Sequence, residues 1–343
     1  MTPRHATATL LVLATACTPA PDQPAPGADE SAQPGTIDKD KLHGVWQIMT
    51  VRNLDTGEVD SIANHRTIWT HYTDSHWTYV WMDAGREGST PAEFAALAPE
   101  AQHAENRAKM LDDEGEWRFW GSGGEWWLDG DMMGYTNVVS IEPYQVQMGG
   151  VEKVVYVNDT AYAYHTVPAD GEAVQEYTHR RLDTMGELAV TRQGDIDPAD
   201  LRGNWQITST RNLATGEVDE VWQHRTAWFH VTDTHWTYVW MKKGRPVVTP
   251  GELGRMAPEQ RVTTRYAQIW DDRNEPVFWA SGGTYSIVDS MFVVGPRVLS
   301  IEPHWIGVEG EEPITRLDRE AYVYLSPPRA DGTVIETTHR RID

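Results

Sequence analysis

The sequence predicts an all-β chain: two tandem antiparallel barrels of about eight strands each, with one short helical insertion per barrel. Three observations predict it. Blocks of residues from the first half return in the same order in the second, apolar and aromatic residues within each half alternate with a period of two, and one Thr-Pro motif per half marks a helix start.

The repeat runs from end to end. Leu42, Gly44, Trp46 and Ile48 return as Leu201, Gly203, Trp205 and Ile207, and His76 to Met82 returns unchanged as His235 to Met241. Ser122-Gly123-Gly124 matches Ser281-Gly282-Gly283, Ser140 to Pro143 matches Ser300 to Pro303, and Thr178 to Asp183 matches Thr338 to Asp343. A unit this long is a domain and not a solenoid rung. The expected barrels span 40–183 and 199–343, joined by a linker over 184–198 that contains Gly186, Gly194 and Pro198.

Each strand follows from local pattern. Thr67 to Thr73 and His76 to Met82 are rich in aromatic and β-branched residues and flank a Thr-Asp-Ser turn. Trp126 to Leu128 and Asp131 to Met133 read as a hairpin through Asp129-Gly130, and Asp170-Gly171 and Asp331-Gly332 mark a turn before the last strand. Ser122-Gly123-Gly124 reads as a strand kink. Thr90-Pro91-Ala92-Glu93 is a capping box with proline at the first helical position, repeated at Thr249 to Glu252, and Pro99 and Pro258 must break or restart the helix. Such an insertion either covers an open end or edge or lies over a barrel mouth as a lid.

The first residues predict export. Arg4 precedes an apolar stretch over 6–16 that ends in small residues before Cys17, the single cysteine. Leu13-Ala14-Thr15-Ala16-Cys17 resembles the lipobox of bacterial lipoproteins, with Ala14 in place of the usual leucine. This implies a signal peptide over 1–16, lipidation of Cys17 and attachment to the membrane through that lipid alone. An ordinary secretory signal with an incidental cysteine is the alternative. Thr18 after the cysteine favours the outer membrane of a Gram-negative envelope, with the folded part in the periplasm or at the cell surface. Five prolines among Ala, Gly, Asp and Ser over 18–39 make an extended tether. The net charge of −22, from 51 acidic against 29 basic side chains, repels phosphate backbones and argues against nucleic acid as a partner.

Leu42-x-Gly44-x-Trp46 on the first strand, the Thr-Asp turn, His-Trp-x-Tyr-Val, the Thr-Pro helix, Ser-Gly-Gly and a closing Arg-Arg together resemble the bacterial lipocalin-like domain family, a calycin-type barrel. The resemblance covers nearly all of each copy and implies a fold more than an activity. It also implies that Trp46 closes the barrel floor under Arg180 or Arg181, and Trp205 under Arg340 or Arg341, by a cation–π contact.

Sixteen tryptophans against five phenylalanines point to stacking on a flat ligand, a sugar or a cation, or simply to bulky wall residues. Thr67, Trp69, His71 and Thr73 share one strand face and recur as Thr226, Trp228, His230 and Thr232, while the opposite face varies. The recurring face is therefore expected to wall a polar-dotted pocket, although parity alone also permits the inverse. The expected ligand-binding residues are Trp69, His71, Tyr79, Trp81 and Arg66, with Trp228, His230, Tyr238, Trp240 and Arg225 in the second copy. The recurring arginines Arg52, Arg66 and Arg86, with Glu142 and Glu302, either fix a carboxylate or form ion pairs. The histidines lack chelating spacing, so neither a metal nor another cofactor is expected, and no catalytic motif is present. The expected function is a non-enzymatic, envelope-anchored binding protein for a small, aromatic or amphipathic molecule. The alternatives are a ligand-free structural or interaction module and a histidine-dependent enzyme.

Overall fold

Alternating runs that bury one face become strands, and here they close on themselves. The computed structural model describes residues 37–343 apart from 87, 169–171, 184–195, 272, 274 and 330. Cys17, the export signal, most of the tether, the Asp170-Gly171 turn and most of the linker lie outside the described residues. In the first barrel, β1 (Gly44–Asn53), β2 (Val59–Asp60), β3 (Arg66–Tyr72) and β4 (His76–Asp83) precede helices α1 (Pro91–Ala96) and α2 (Pro99–Met110). The wall continues with β5 (Phe119–Asp129), β6 (Met132–Ser140), β7 (Gly149–Val157), β8 (Ala161–Thr166) and β9 (Gln175–Arg181).

The second barrel repeats this plan. It contains β10 (Gly203–Asn212), β11 (Val218–Asp219), α3 (Val221–His224), β12 (Arg225–Val231), β13 (His235–Lys242), α4 (Pro250–Leu253) and α5 (Pro258–Tyr266). It closes with β14 (Phe278–Val288), β15 (Met291–Ser300), β16 (Gly310–Leu317), β17 (Ala321–Leu325) and β18 (Ile335–Arg341). Neighbours pair antiparallel in chain order, and β1 pairs with β9 as β10 does with β18. Because β2 and β11 are two-residue additions to β1 and β10, eight strands make each wall. Closure leaves no long unpaired edge. The architecture is two tandem eight-stranded antiparallel barrels, all-β with short helical insertions.

Local signals act where the sequence placed them. Thr90 Oγ1 accepts from the Glu93 amide and the Glu93 carboxylate accepts from the Thr90 amide at 2.8 Å, and Thr249 and Glu252 do the same. The helix stops after Ala96 and restarts at Pro99. The β5–β6 register shifts between Gly123 and Gly124, where a Cβ on Gly124 would lie 1.5 Å from the Thr136 carbonyl oxygen.

The floor of each barrel settles which arginine turns inward. Trp46 is fully buried and its indole N–H donates to the Leu42 carbonyl at 2.7 Å. The Arg181 guanidinium lies 4.2 Å from the Trp46 ring centre and donates to the His43 and Lys41 carbonyls. Arg341 covers Trp205 at 4.4 Å. Arg180 and Arg340 point outward, to the side-chain carbonyls of Gln47 and Gln206. Gly44, at φ +124°, lets the chain pass close under Arg181.

Apolar side chains gather in each lumen and also between the barrels. The inter-barrel core draws on both copies, with Trp69, Val80, Met82 and Phe119 from one and Val239, Phe278, Ala280 and Leu299 from the other. The insertions belong to this junction: His103 Nδ1 on α2 lies 3.0 Å from the Tyr266 hydroxyl of α5, and Phe94 on α1 stacks on His304 at 3.9 Å.

Candidate functional site

Strand parity decides which residues a ligand could meet, and the structure inverts the expected assignment. On β3 and β4 the inward positions include Thr70, Tyr72, Trp77 and Tyr79, which line the lumen of barrel 1. The recurring face looks out, toward the other barrel. Trp69 meets the ring of His235 edge-on at 5.1 Å, and Trp228 meets His76 in the same way at 5.1 Å. His71 Nδ1 lies 3.0 Å from the Thr237 hydroxyl. Trp69, His71, Trp228 and His230 are therefore corrected from ligand-binding to junction residues. The physical reason is that a contact between two like barrels is self-complementary, so each copy must supply the same residues.

The recurring arginines and acids divide accordingly. Arg86 crosses the junction to the Ser300 and Ile301 carbonyls at 3.0 and 2.8 Å, and Arg245 crosses back to Ser140 and Ile141 at 2.8 and 2.5 Å. Glu142 accepts from the Trp117 indole at 2.8 Å and faces Arg265 of the other copy at 3.2 Å. Arg52 and Arg211 pair with Glu176 and Glu336 along the first and last strands. Arg66 pairs with Asp83 at 2.7 Å and stacks on Trp81 at 4.1 Å. Arg225 stacks on Trp240 at 4.6 Å. These two stacks stand at the end of each barrel opposite the floor, beside the lumen.

The lumen of barrel 1 encloses about 260 Å³ and that of barrel 2 about 300 Å³. Of the expected residues, Tyr79 lines the first, and Tyr238 and Trp240 line the second. Beside them stand residues the sequence did not single out for a ligand: Ser122, Glu152, Tyr162 and Tyr164 in barrel 1, and Ser281, Glu312, Tyr322 and Tyr324 in barrel 2. Trp120 and His179 also line the first lumen, as Trp279 and His339 line the second. Rings pack around the wall, with Tyr162 stacked on His179 at 3.9 Å and Tyr164 on Tyr177 at 5.0 Å. Glu152 and Glu312 sit opposite Met133 and Phe292 on the paired strands, so they are equivalent positions. The repeat is weak along β7 and β16, which hid them; the available signal was a glutamate alternating with Val151 and Lys153 on a strand.

Burial governs the charges inside. Desolvation pushes the Glu152 carboxyl up to about 8, against a hydrogen bond from Tyr164 that favours the anion. Glu312 rises to about 7, held back by Arg297. Burial lowers His179 and His339 to about 3, so both are neutral rings at ordinary pH. The two lumens diverge at several paired wall positions, among them Tyr72, Asn137 and Gln145 in barrel 1, which become Val231, Arg297 and Trp305 in barrel 2. Among the described residues, no group of three or more His, Cys, Asp or Glu side chains is placed to hold a metal ion.

No family model matches the sequence, and no curated protein matches it. Among solved structures, the chain is similar to a lipocalin-like protein from Bacteroides uniformis ATCC 8492, with 11% identity, a TM-score of 0.25, and 41% of this chain and 98% of that one covered. An uncharacterized protein from Bacteroides eggerthii DSM 20697 matches over the same shares at 13% identity and a TM-score of 0.25. A protein of unknown function from the DUF3598 family of Nostoc punctiforme PCC 73102 matches 88% of this chain and 97% of its own, at 10% identity and a TM-score of 0.17.

Proposed function

We propose that the chain is a non-enzymatic small-molecule binding protein, each barrel holding one small ligand, and that it is exported and tethered to the bacterial membrane through a lipid on Cys17. The observation that carries the binding reading is that both lumens keep space beside the same polar-dotted aromatic set. Trp77, Tyr79, Trp120, Ser122 and Glu152 in one barrel recur as Trp236, Tyr238, Trp279, Ser281 and Glu312 in the other. Stacking rings with a few polar groups on a rigid wall make a recognition surface, and spaces of this size suit a ligand of roughly ten to fifteen heavy atoms. Envelope tethering is supported by the lipobox-like run before Cys17 and the proline-rich segment after it.

Native mass spectrometry of the protein purified from its own host tests the binding reading. The expected result is one or two co-purified small molecules per chain, lost on denaturation. No co-purified molecule, together with no thermal shift across a small-molecule library, would overturn it. For the anchor, radiolabelled palmitate should enter the wild-type chain and not Cys17→Ser; equal labelling of the two, or none of the wild type, removes it.

A further inference from the structure

We propose that the lumen of barrel 1 is a site for a small organic cation, an amine held among aromatic faces with its charge on Glu152, and that barrel 2 refuses this cation because Arg297 stands where barrel 1 has Asn137. The proposal rests on the reading of the lumens as ligand sites and gives one of them a ligand class.

Three features of barrel 1 converge. Its wall presents the rings of Trp77, Trp120, Tyr135 and Tyr164, whose electron-rich faces attract an ammonium group within about 6 Å. Glu152 is the one carboxylate on this wall, and no lysine or arginine is among the described residues lining it. His179 does not compete, since burial keeps it uncharged. A desolvated carboxylate without a counterion favours protonation, and a ligand that brings a positive charge supplies the missing partner. An anionic ligand meets repulsion, and a neutral one leaves the carboxyl protonated.

Barrel 2 keeps the glutamate and changes its surroundings. Asn137 and Arg297 occupy the same register position, opposite Gly124 and Gly283. Asn137 donates to the Met148 carbonyl at 3.2 Å, within its own strand end. Arg297 instead reaches along the wall, 5.1 Å from the Trp305 ring and 6.0 Å from the Trp236 ring. The protein's own guanidinium thus takes the ring faces and lies in the field of Glu312, the two roles an incoming cation would fill. Tyr72, Tyr135 and Tyr177 are also replaced, by Val231, Val294 and Thr337.

Binding must be linked to protons. The groups facing Glu152 are Tyr72 on β3, Tyr79 on β4, Tyr135 on β6, Tyr162 and Tyr164 on β8, and Tyr177 and His179 on β9; Arg66 of β3 acts on Tyr79 from the far end. Burial raises every one of these tyrosines. Glu152 is then the group of this lumen that titrates between pH 6 and 9, with a midpoint near 8.

The test uses the full chain and four probes of similar chemistry: phenethylamine, tetramethylammonium, 2-phenylethanol and phenylacetate, titrated by calorimetry between pH 6 and 9. One cation should bind per chain, at least about tenfold tighter than the alcohol, with affinity rising about tenfold per pH unit below 8. Glu152→Gln should lose about tenfold or more and flatten the pH profile, as should Asn137→Arg. Arg297→Asn should raise the stoichiometry from one toward two, which no loss of folding can mimic. Failure of both cations to bind, equal binding of amine and alcohol, or full affinity in Glu152→Gln overturns the proposal. If the alcohol or another library molecule still binds, the ligand-lumen reading survives that failure; if nothing binds, both fall.

Discussion

Thr78 and Thr237 meet hydroxyl to hydroxyl, 2.7 Å apart and both buried, at the centre of the junction between the barrels. They are equivalent residues of the two copies, so a local two-fold axis passes between them. Symmetry stops at the next bond, because Thr237 also lies 3.0 Å from His71 Nδ1, while both ring nitrogens of His230 lack a hydrogen-bond partner among the described residues.

That asymmetry predicts unequal costs for two matched substitutions. Thr237→Val removes partners from both Thr78 and His71 and should cost about 1–3 kcal/mol, whereas Thr78→Val leaves Thr237 its histidine and should cost less than about 1 kcal/mol. Urea denaturation of the two variants checks it. Equal costs would mean that the contact between Thr237 and His71 adds nothing.

The crossing arginines predict a larger effect. Arg86→Ala or Arg245→Ala strips a buried guanidinium from carbonyls of the other barrel, and each should cost about 3 kcal/mol or more. Arg52→Ala, on an exposed strand-end pair, should cost less than about 1 kcal/mol. Thermal unfolding of the three variants separates junction from surface.

The floor predicts a contrast between neighbours. Arg181→Lys keeps charge but loses the planar fork over Trp46 and its two carbonyl partners, and should cost about 2 kcal/mol. Arg180→Lys should stay within about 0.5 kcal/mol, since this exposed side chain makes only a solvent-facing bond to Gln47. The same contrast is expected between Arg341 and Arg340.

Stability against pH should peak at about pH 6.5. Burial lowers His43, His71, His76, His179, His230, His235, His304 and His339 in the folded chain, so below about pH 6.5 the unfolded chain takes up protons that the folded one refuses, and stability falls as pH falls. Asp183, Glu152, Glu302 and Glu312 are raised, to about 6, 8, 7 and 7, so the folded chain holds their protons longer and stability rises as pH falls toward about 4.5. Between about pH 4.5 and 6.5 the histidines outnumber the carboxyls, which only slow the decline toward acid. Above 6.5 only the carboxyls act, and roughly 3 kcal/mol should be lost by pH 8; below 4.5 the histidines act unopposed. Calorimetric melting across pH 3–9 checks this. A melting temperature still climbing from pH 6.5 to 9 would contradict it, and Glu152→Gln with Glu312→Gln should blunt the alkaline decline.

The barrels were legible because period-two alternation, capping boxes and glycine kinks each act within a few residues, and the duplication displayed them twice. Tyr79 and the floor pair of Trp46 with an inward arginine were legible for the same reason. The faces of β3 were not. Recurrence of Trp69 and His71 reads as shared function, yet a self-complementary junction demands identical residues from both partners. A lumen that faces only its own barrel is free to drift, as Asn137 against Arg297 and Gln145 against Trp305 have done. Which face turns inward depends on the partner barrel, information that no single strand carries. Glu152 was hidden by the low similarity of β7 to β16.

Arg86 and Arg245 exchange places across the junction, the arrangement two separate subunits would use to form a dimer. Made as independent polypeptides, two such barrels with near-identical contact faces would assort at random, giving like pairs as well as unlike ones. Carrying both on one chain fixes the composition at one of each in every molecule. Whatever amount of one barrel is made, the other is made in equal number, and the two are always neighbours.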